Sequence, residues 1–242
     1  MHRLYVESGI EPSVDVGGVM VVTGEEARHA VLARRLVPGE AVEVLDGRGL
    51  RVRAEVVRAE ARGRGGVGAT AELVVRGIER VPMVSPVVHV HGATPKGDRV
   101  DGMIDQLSQV GAASWSPLTT ERGVVDPRDS KLLRLERIAV SGAKQCGRAH
   151  VMAIGAAGGL GDVPRDGVVV LADATGETPD ASMWGTGVVR LLIGPEGGWT
   201  PGEVERARGM GAKVVRFGPH AMRIETAAVV AAGVIMGPSR AG

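Results

Sequence analysis

The residues best equipped for chemistry crowd toward the C-terminal end of the chain. Gly194-Pro195-Glu196-Gly197-Gly198 follows an apolar strand over 191–193 and turns the chain without bulky side chains. A second run, Phe217-Gly218-Pro219-His220-Ala221-Met222-Arg223-Ile224-Glu225-Thr226, closes a strand over 213–217 and opens an apolar helix over 227–236. Two glycine loops leaving the ends of neighbouring strands make a crevice where backbone groups can touch a small molecule. A side chain at Gly197 or Gly198 would block such an approach. Ordinary strand-to-helix turns use the same glycines, and a helix N-terminus favours residues such as Glu225 and Thr226 for capping alone. Arg223 fits that plain explanation less well, because it stands between a glycine loop and an apolar helix.

Other constellations carry less. Lys144-Gln145-Cys146-Gly147-Arg148 ends a long helical pattern, where a solvated C-terminus favours Lys and Arg anyway. Lys96-Gly97-Asp98-Arg99 opens another helix, with Asp98 favourable in its first turn. His89 and His91 share one face of a strand, but no third ligand accompanies them, so no metal is expected. Gly63 to Gly68 spells G-x-G-x-x-G, yet the ATAELVV that follows reads as strand where a dinucleotide site needs a helix. A nicotinamide-dependent oxidoreductase would require that motif to work. Neither a G-x-x-x-x-G-K-[ST] phosphate loop nor a G-x-S-x-G nucleophile elbow occurs.

The elements that must position these residues are α/β in pattern. Strands are expected over 87–91, 114–118 and 168–172, the last a continuous apolar run as in a buried parallel sheet. Helices are expected over 96–110, with Met103, Leu107 and Val110 along one face, and over 130–146, with Leu135, Ile138, Ala139 and Gly142 at helical spacing. Thr200-Pro201-Gly202-Glu203 is a capping box with proline at the first helical position. The apolar helix over 227–236 needs cover, from the sheet or from another subunit. Residues 1–76 are strand-rich: strands over 2–6, 19–22, 41–45 and 71–75, an alternating strand around Val52, Ala54 and Val56, and a hairpin turn at Asp46-Gly47-Arg48-Gly49. One helix over 25–35 carries Ala27, Val31 and Leu32. A small β-barrel fits best, with a linker over 77–86 and a second domain over 84–242.

Composition sets the outer limits. The chain has 242 residues, 44% hydrophobic and 24% charged, values ordinary for a soluble globular protein. Aromatics amount to 2%, namely Tyr5, Trp115, Trp184, Trp199 and Phe217, too few for an aromatic base-stacking platform. The net charge of +1 announces no nucleic-acid binder, although lysine stands only at 96, 131, 144 and 213 among 29 basic residues and arginine suits bidentate phosphate contacts. Biased genome composition explains that preference equally well. Cys146 is the one cysteine, which excludes a disulfide framework. No apolar run reaches the roughly 18 residues that span a bilayer, and MHRLYVESGIEP lacks a signal-peptide core, so a cytoplasmic protein is expected.

The two glycine runs, in this order and spacing, closely resemble the C-terminal signature of SPOUT-class RNA methyltransferases, and most closely the ribosomal RNA small-subunit methyltransferase E family. HAVLARRLVPGEAVEVLDGRG is similar, more weakly, to that family's PUA-like N-terminal domain. The resemblance implies a trefoil-knotted SPOUT domain behind a PUA-like β-barrel; nothing in periodicity points to a knot, which general topology rules make rare. It also implies a homodimer that methylates N3 of a uridine in 16S ribosomal RNA, alone or in the small subunit, with S-adenosylmethionine as donor. Carried over residue by residue, the cofactor set is Leu171, Gly194, Gly198, Phe217, Gly218, Ala221 and Met222, with phenylalanine at 217 where leucine is more usual. Lys96, Arg99, Gln145 and Arg148 are the expected RNA contacts. Gln106 and Gln109 depart from the usual lysine and glutamate, Ser141 from a glutamate, and His220 from an arginine; these departures leave room for a non-catalytic or differently targeted RNA-binding relative.

Uridine N3 is a poor nucleophile until it loses its proton. An arginine near the carbonyl oxygens would stabilise the anion by preorganised electrostatics. Arg223 or Arg148 is expected there, with Glu225 as the base.

Overall fold

The structure, a computed structural model, describes residues 1–7, 9–10, 14–61, 68–124 and 129–237. The chain divides into two compact units, Met1–Pro82 with Ala143–Val151, and Met83–Gly142 with Met152–Gly242.

The first unit is built on a five-stranded sheet of order β1-β3-β4-β5-β2, from β1 (His2–Tyr5), β2 (Val19–Thr23), β3 (Ala41–Leu45), β4 (Leu50–Glu60) and β5 (Thr70–Arg80). It curls into a half-barrel with β1 and β2 at its edges, where the pattern suggested a barrel. Alternating Val52, Ala54, Val56, Ala71, Leu73 and Val75 point inward and are almost wholly buried. The turn between β3 and β4 is held by Asp46, whose Oδ1 accepts from Arg48 N at 2.7 Å and Leu50 N at 2.9 Å.

Two expectations need correction here. The linker over 77–86 begins too early, because β5 runs on to Arg80 and Leu50 pairs with Arg80. Gly77 marks a bulge in the ladder, where the register shifts opposite Arg53 and Ala54, and not the end of the strand. The helix expected over 25–35 is a short α1 (Gly24–Arg28) followed by a π-helical turn, His29–Ala33. The wider turn shifts the buried positions to Ala27 and Ala30 and leaves Leu32 46% exposed.

Ala143–Val151 completes this unit, although the sequence pattern assigns it to the second domain. Arg3 Nη1 donates to the carbonyls of Lys144 at 3.0 Å and Gln145 at 2.9 Å, and Arg51 Nη2 to that of Gly147 at 2.9 Å. These guanidiniums satisfy carbonyls that a helix C-terminus leaves without intrahelical partners.

The second unit is a six-stranded parallel sheet of order β11-β9-β10-β6-β7-β8, from β6 (Val87–Gly92), β7 (Ser114–Pro117), β8 (Ala153–Ile154), β9 (Val168–Glu177), β10 (Val188–Ile193) and β11 (Lys213–Val215). The helices are α2 (Arg99–Val110), α3 (Asp129–Cys146), α4 (Pro201–Gly209) and α5 (Ile224–Met236). β9 extends five residues past the apolar run that announced it. On one sheet face Leu171, Leu192, Val169 and Leu118 pack with Trp199 and Ala207. On the other, α5 lies against β6, β10 and α2. Its buried Ala228, Ala231, Ala232 and Ile235 therefore find their cover within the chain. Among the described residues, no helix is long and apolar enough to cross a membrane.

Candidate active site

A pocket of about 190 Å³ opens on the C-terminal side of the neighbouring strands β11, β9 and β10 of the second unit. This is where a parallel sheet offers ligands the loops that follow its strands. One wall is Ala172, Asp173 and Ala174 from β9. The second is the loop after β10, with Gly194, Pro195, Glu196, Gly198 and Trp199. The third is the loop after β11, with Arg216 through Gly218 and His220 through Met222.

Local sequence explains the shape of these walls. Trp199 is held over the first loop by Nε1, which donates to the Ala172 carbonyl at 3.0 Å. A Cβ at Gly194 would stand 2.8 Å from that indole, so only glycine fits beneath it. Gly198 has φ +70°, the left-handed region, with open space where a Cβ would point. The capping box forms as its residues predict: Glu203 N donates to Thr200 Oγ1 at 3.2 Å, and Thr200 N to Glu203 Oε2 at 2.8 Å. Glu203 is 1% exposed, and its other oxygen accepts from Glu121 N at 2.8 Å. One buried carboxylate thus joins the loop after β10 to the loop after β7. Phe217 stacks on buried Trp184 with centroids 6.5 Å apart, so the aromatic substitution for leucine has a partner behind it.

Six of the seven residues expected to contact a cofactor line this pocket: Gly194, Gly198, Phe217, Gly218, Ala221 and Met222. Leu171 does not. It is fully buried in the core, and the wall at that level is formed by the next residues of β9. Gly197 also lies elsewhere, with the position of its missing Cβ 3.4 Å from the Arg122 side chain.

A smaller cleft of about 40 Å³ adjoins the first and shares Pro195, Glu196 and Ile224 with it. Its remaining lining includes Thr94, Lys96, Arg122 and Gly197. Arg122 donates from Nη1 to the Gly197 carbonyl at 2.8 Å. The loop after β7 escaped sequence reading altogether. Its only signal is the polar run Thr119-Thr120-Glu121-Arg122, which looks like any exposed turn until Glu203 and Gly197 are placed against it.

Arg223 and Glu225 line neither cleft. Arg223 caps α5 with extended backbone, and its exposed side chain has no hydrogen-bond or ion-pair partner among the described residues. Glu225 Oε1 stands 3.6 Å from Arg99 Nη1, while Glu225 Oε2 is buried without a hydrogen-bond partner. Arg99 Nη1 also donates to Glu196 Oε1 at 2.9 Å. The polar network around α5 is therefore Glu225, Arg99 and Glu196. Gln145 and Arg148 belong to the first unit; Gln145 is exposed, and burial pulls the Arg148 guanidinium down to about 10. Gln106, Gln109 and Ser141 are exposed on α2 and α3 and line neither cleft, whereas His220 lines the first. His89 bonds Ser114 Oγ through Nδ1 at 2.7 Å, and burial holds His91 at about 4. The G-x-G-x-x-G run at Gly63 lies outside the described residues except for Gly68, and strand β5 follows it.

Residues 83–236 match an RNA methyltransferase domain, and residues 22–63 an RNA methyltransferase PUA domain. Over 240 residues the chain is 35% identical to ribosomal RNA small subunit methyltransferase E of Mycobacterium tuberculosis (strain CDC 1551 / Oshkosh), spanning 91% of this chain and 87% of that one. The namesake of Bacillus subtilis (strain 168) is 24% identical over 97% of this chain and 96% of its own. Among solved structures, ribosomal RNA small subunit methyltransferase E from Neisseria gonorrhoeae bound to S-adenosyl methionine superposes with TM-score 0.82 at 23% identity, over 98% and 97% of the two chains. The fold is accordingly the SPOUT-type α/β methyltransferase domain with a PUA-like N-terminal unit. With an RNA methyltransferase domain over more than half its length and relatives of one name matching nearly all of it, the chain belongs to the ribosomal RNA small subunit methyltransferase E family.

Proposed function

We propose that the protein transfers a methyl group from S-adenosylmethionine to N3 of a uridine in 16S ribosomal RNA. The observation that carries this reading is the first pocket, whose shape and lining suit that cofactor. Backbone at Gly194, Gly198 and Gly218 allows close approach, Phe217, Ile193 and Met222 supply an apolar wall for a purine, and Asp173 is an acid suited to a cationic ligand. When bound there, the sulfonium supplies an electrophilic methyl group, and no metal is required. The cofactor-binding residues on this reading are Gly194, Gly198, Phe217, Gly218, Ala221 and Met222.

Lys96, Arg99, Gln145 and Arg148 remain the proposed RNA contacts. Arg223, exposed beside the pocket, is better suited to hold the ribosomal RNA at the mouth than to face a base within it. The departures at Gln106, Gln109 and Ser141 avoid both clefts, which favours an active enzyme over a non-catalytic relative. We further propose that it works in the cytoplasm as a homodimer, for which exposed Val110, Leu133 and Val234 offer apolar contact on the second unit. Light scattering should then give twice 25.0 kDa, and a mass of 25.0 kDa at micromolar concentration would argue against the dimer. The decisive experiment is mass spectrometry of 16S ribosomal RNA from cells with and without the protein, followed by methylation of the unmodified RNA in vitro. Loss of one N3-methyluridine in the deleted strain, restored by the purified protein, is the expected result.

A further inference from the structure

We propose that the smaller cleft beside the methyl-donor pocket seats the Watson–Crick edge of the target pyrimidine, with Lys96 and Arg122 facing its carbonyl oxygens and Glu196 its N3–H. The proposal rests on the methyltransferase reading and adds the substrate's seat to it. Four observations support it. The cleft shares Glu196, Pro195 and Ile224 with the first pocket, so a group bound in one adjoins a group bound in the other. Thr94 is 6% exposed and lines the cleft, and its buried Oγ1 has no hydrogen-bond partner. Such a hydroxyl is costly unless something pairs with it. Lys96 and Arg122 bring two cations, and among the described residues the Arg122 guanidinium engages only the Gly197 carbonyl, through Nη1. Glu196 uses Oε1 for Arg99, leaving Oε2 without a partner among the described residues.

Size and charge select the ligand. The cleft, of about 40 Å³, has room for the edge of a flipped base. A phosphate has only acceptors, so two cations would suit it and Glu196 would repel it. Uracil presents an N–H flanked by two carbonyl oxygens, which asks for donors and one acceptor together. Cytosine presents a bare N3 and an amino group, and would leave Glu196 facing a lone pair. In the reaction the N3 proton passes to Glu196, the N3–C bond forms as the S–C bond breaks, and charge on the carbonyl oxygens falls to Lys96 and Arg122. The other charges nearby, Arg99 on α2 and Glu225 on α5, stand within 3.6 Å of each other. Glu121 on the loop is bound to Arg206 on α4.

The test is single-turnover methylation of 16S ribosomal RNA at saturating S-adenosylmethionine, with Lys96→Gln, Glu196→Gln and Thr94→Val. Calorimetry for the methyl donor and filter binding for the RNA run alongside. Expected losses are about 10²-fold for Lys96→Gln and Glu196→Gln and about 10-fold for Thr94→Val, with methyl-donor affinity within about threefold of wild type. The rates of Lys96→Gln and Glu196→Gln should recover as pH rises. They should also recover on RNA carrying 5-fluorouracil, whose N3 ionises more readily. A merely structural defect would show neither recovery. Wild-type rates in Lys96→Gln and Glu196→Gln, or losses without either recovery, would overturn the seat. If the wild-type protein binds the donor but methylates no ribosomal RNA, the reading beneath it falls instead, and the seat with it.

Discussion

The two adjoining clefts are built from different materials. The larger is made mostly of backbone and apolar side chains, with glycines where a ligand must come close. The smaller sets one hydroxyl and three charged side chains, Thr94, Lys96, Arg122 and Glu196 from three separate loops, among its glycines and apolar residues. A backbone site is encoded by where glycine stands and by what packs over it, so it survives wide change elsewhere. A side-chain site is encoded by particular residues, and one substitution alters its chemistry without moving the chain. This contrast fits one cofactor shared by many enzymes beside one base that must be told from others.

Substitutions at glycine sharpen the distinction most. Gly194→Val should do the most damage, because its Cβ would collide with Trp199 at 2.8 Å and break the bond to Ala172. We expect S-adenosylmethionine affinity to fall by about 10²-fold or more. Gly197→Ala should leave that affinity near wild type and slow methyl transfer, since its Cβ meets only Arg122 at 3.4 Å. Equal losses of donor affinity by calorimetry in both variants would mean that the clefts act as one.

Glu203→Gln comes next. Both carboxylate oxygens accept backbone N–H groups in a site 1% exposed, and an amide replaces one acceptor with a donor. The expected cost is about 1–3 kcal/mol, read as a lower melting temperature, and the rates governed by both clefts should drop together. Gly198→Val should cost roughly 1–2 kcal/mol through its left-handed backbone, since nothing stands near its Cβ. Donor affinity reduced about tenfold with little loss of fold would agree.

The last effect appears only in acid. Burial holds the folded-state His91 at about 4, below its ordinary 6.5. The unfolded chain therefore binds this proton more readily, and the contribution is complete above about 6.5 and lost as pH falls toward about 4. His89 is lowered in the same direction. His91→Gln should flatten the melting temperature against pH across that window. An unchanged slope would show that the acid sensitivity arises elsewhere.

Much of the second unit was legible because its signals are local. The capping box at Thr200, the apolar strands and the helical spacing of α2 each depend on a few neighbouring residues. The first pocket was legible for the same reason, as glycines at strand ends. Arg122 was not, because its contact is with Gly197, and its loop is held by Glu203 through Glu121 N, both far along the chain. Leu171 was not placed as well, since the pocket wall begins at Ala172, one residue beyond the point where Leu171 fills the core. Gly77 read as a linker because a bulge and a break share a residue type. The pairing of Glu225 with Arg99 was equally invisible, and it shifts attention to Glu196.

The capture of Ala143–Val151 by the first unit has a consequence for inheritance and for engineering. The polypeptide leaves that unit at Pro82 and returns to it through residues 143–151. No single cut in the chain can therefore release it whole. A fragment ending at Pro82 would keep Arg3 and Arg51 but lose the carbonyls of Lys144, Gln145 and Gly147 that they serve. The two parts are continuous in space without being continuous in sequence. Recombination that swaps one for a relative's copy must carry two segments across together, and that requirement binds the fates of the two parts as tightly as any contact.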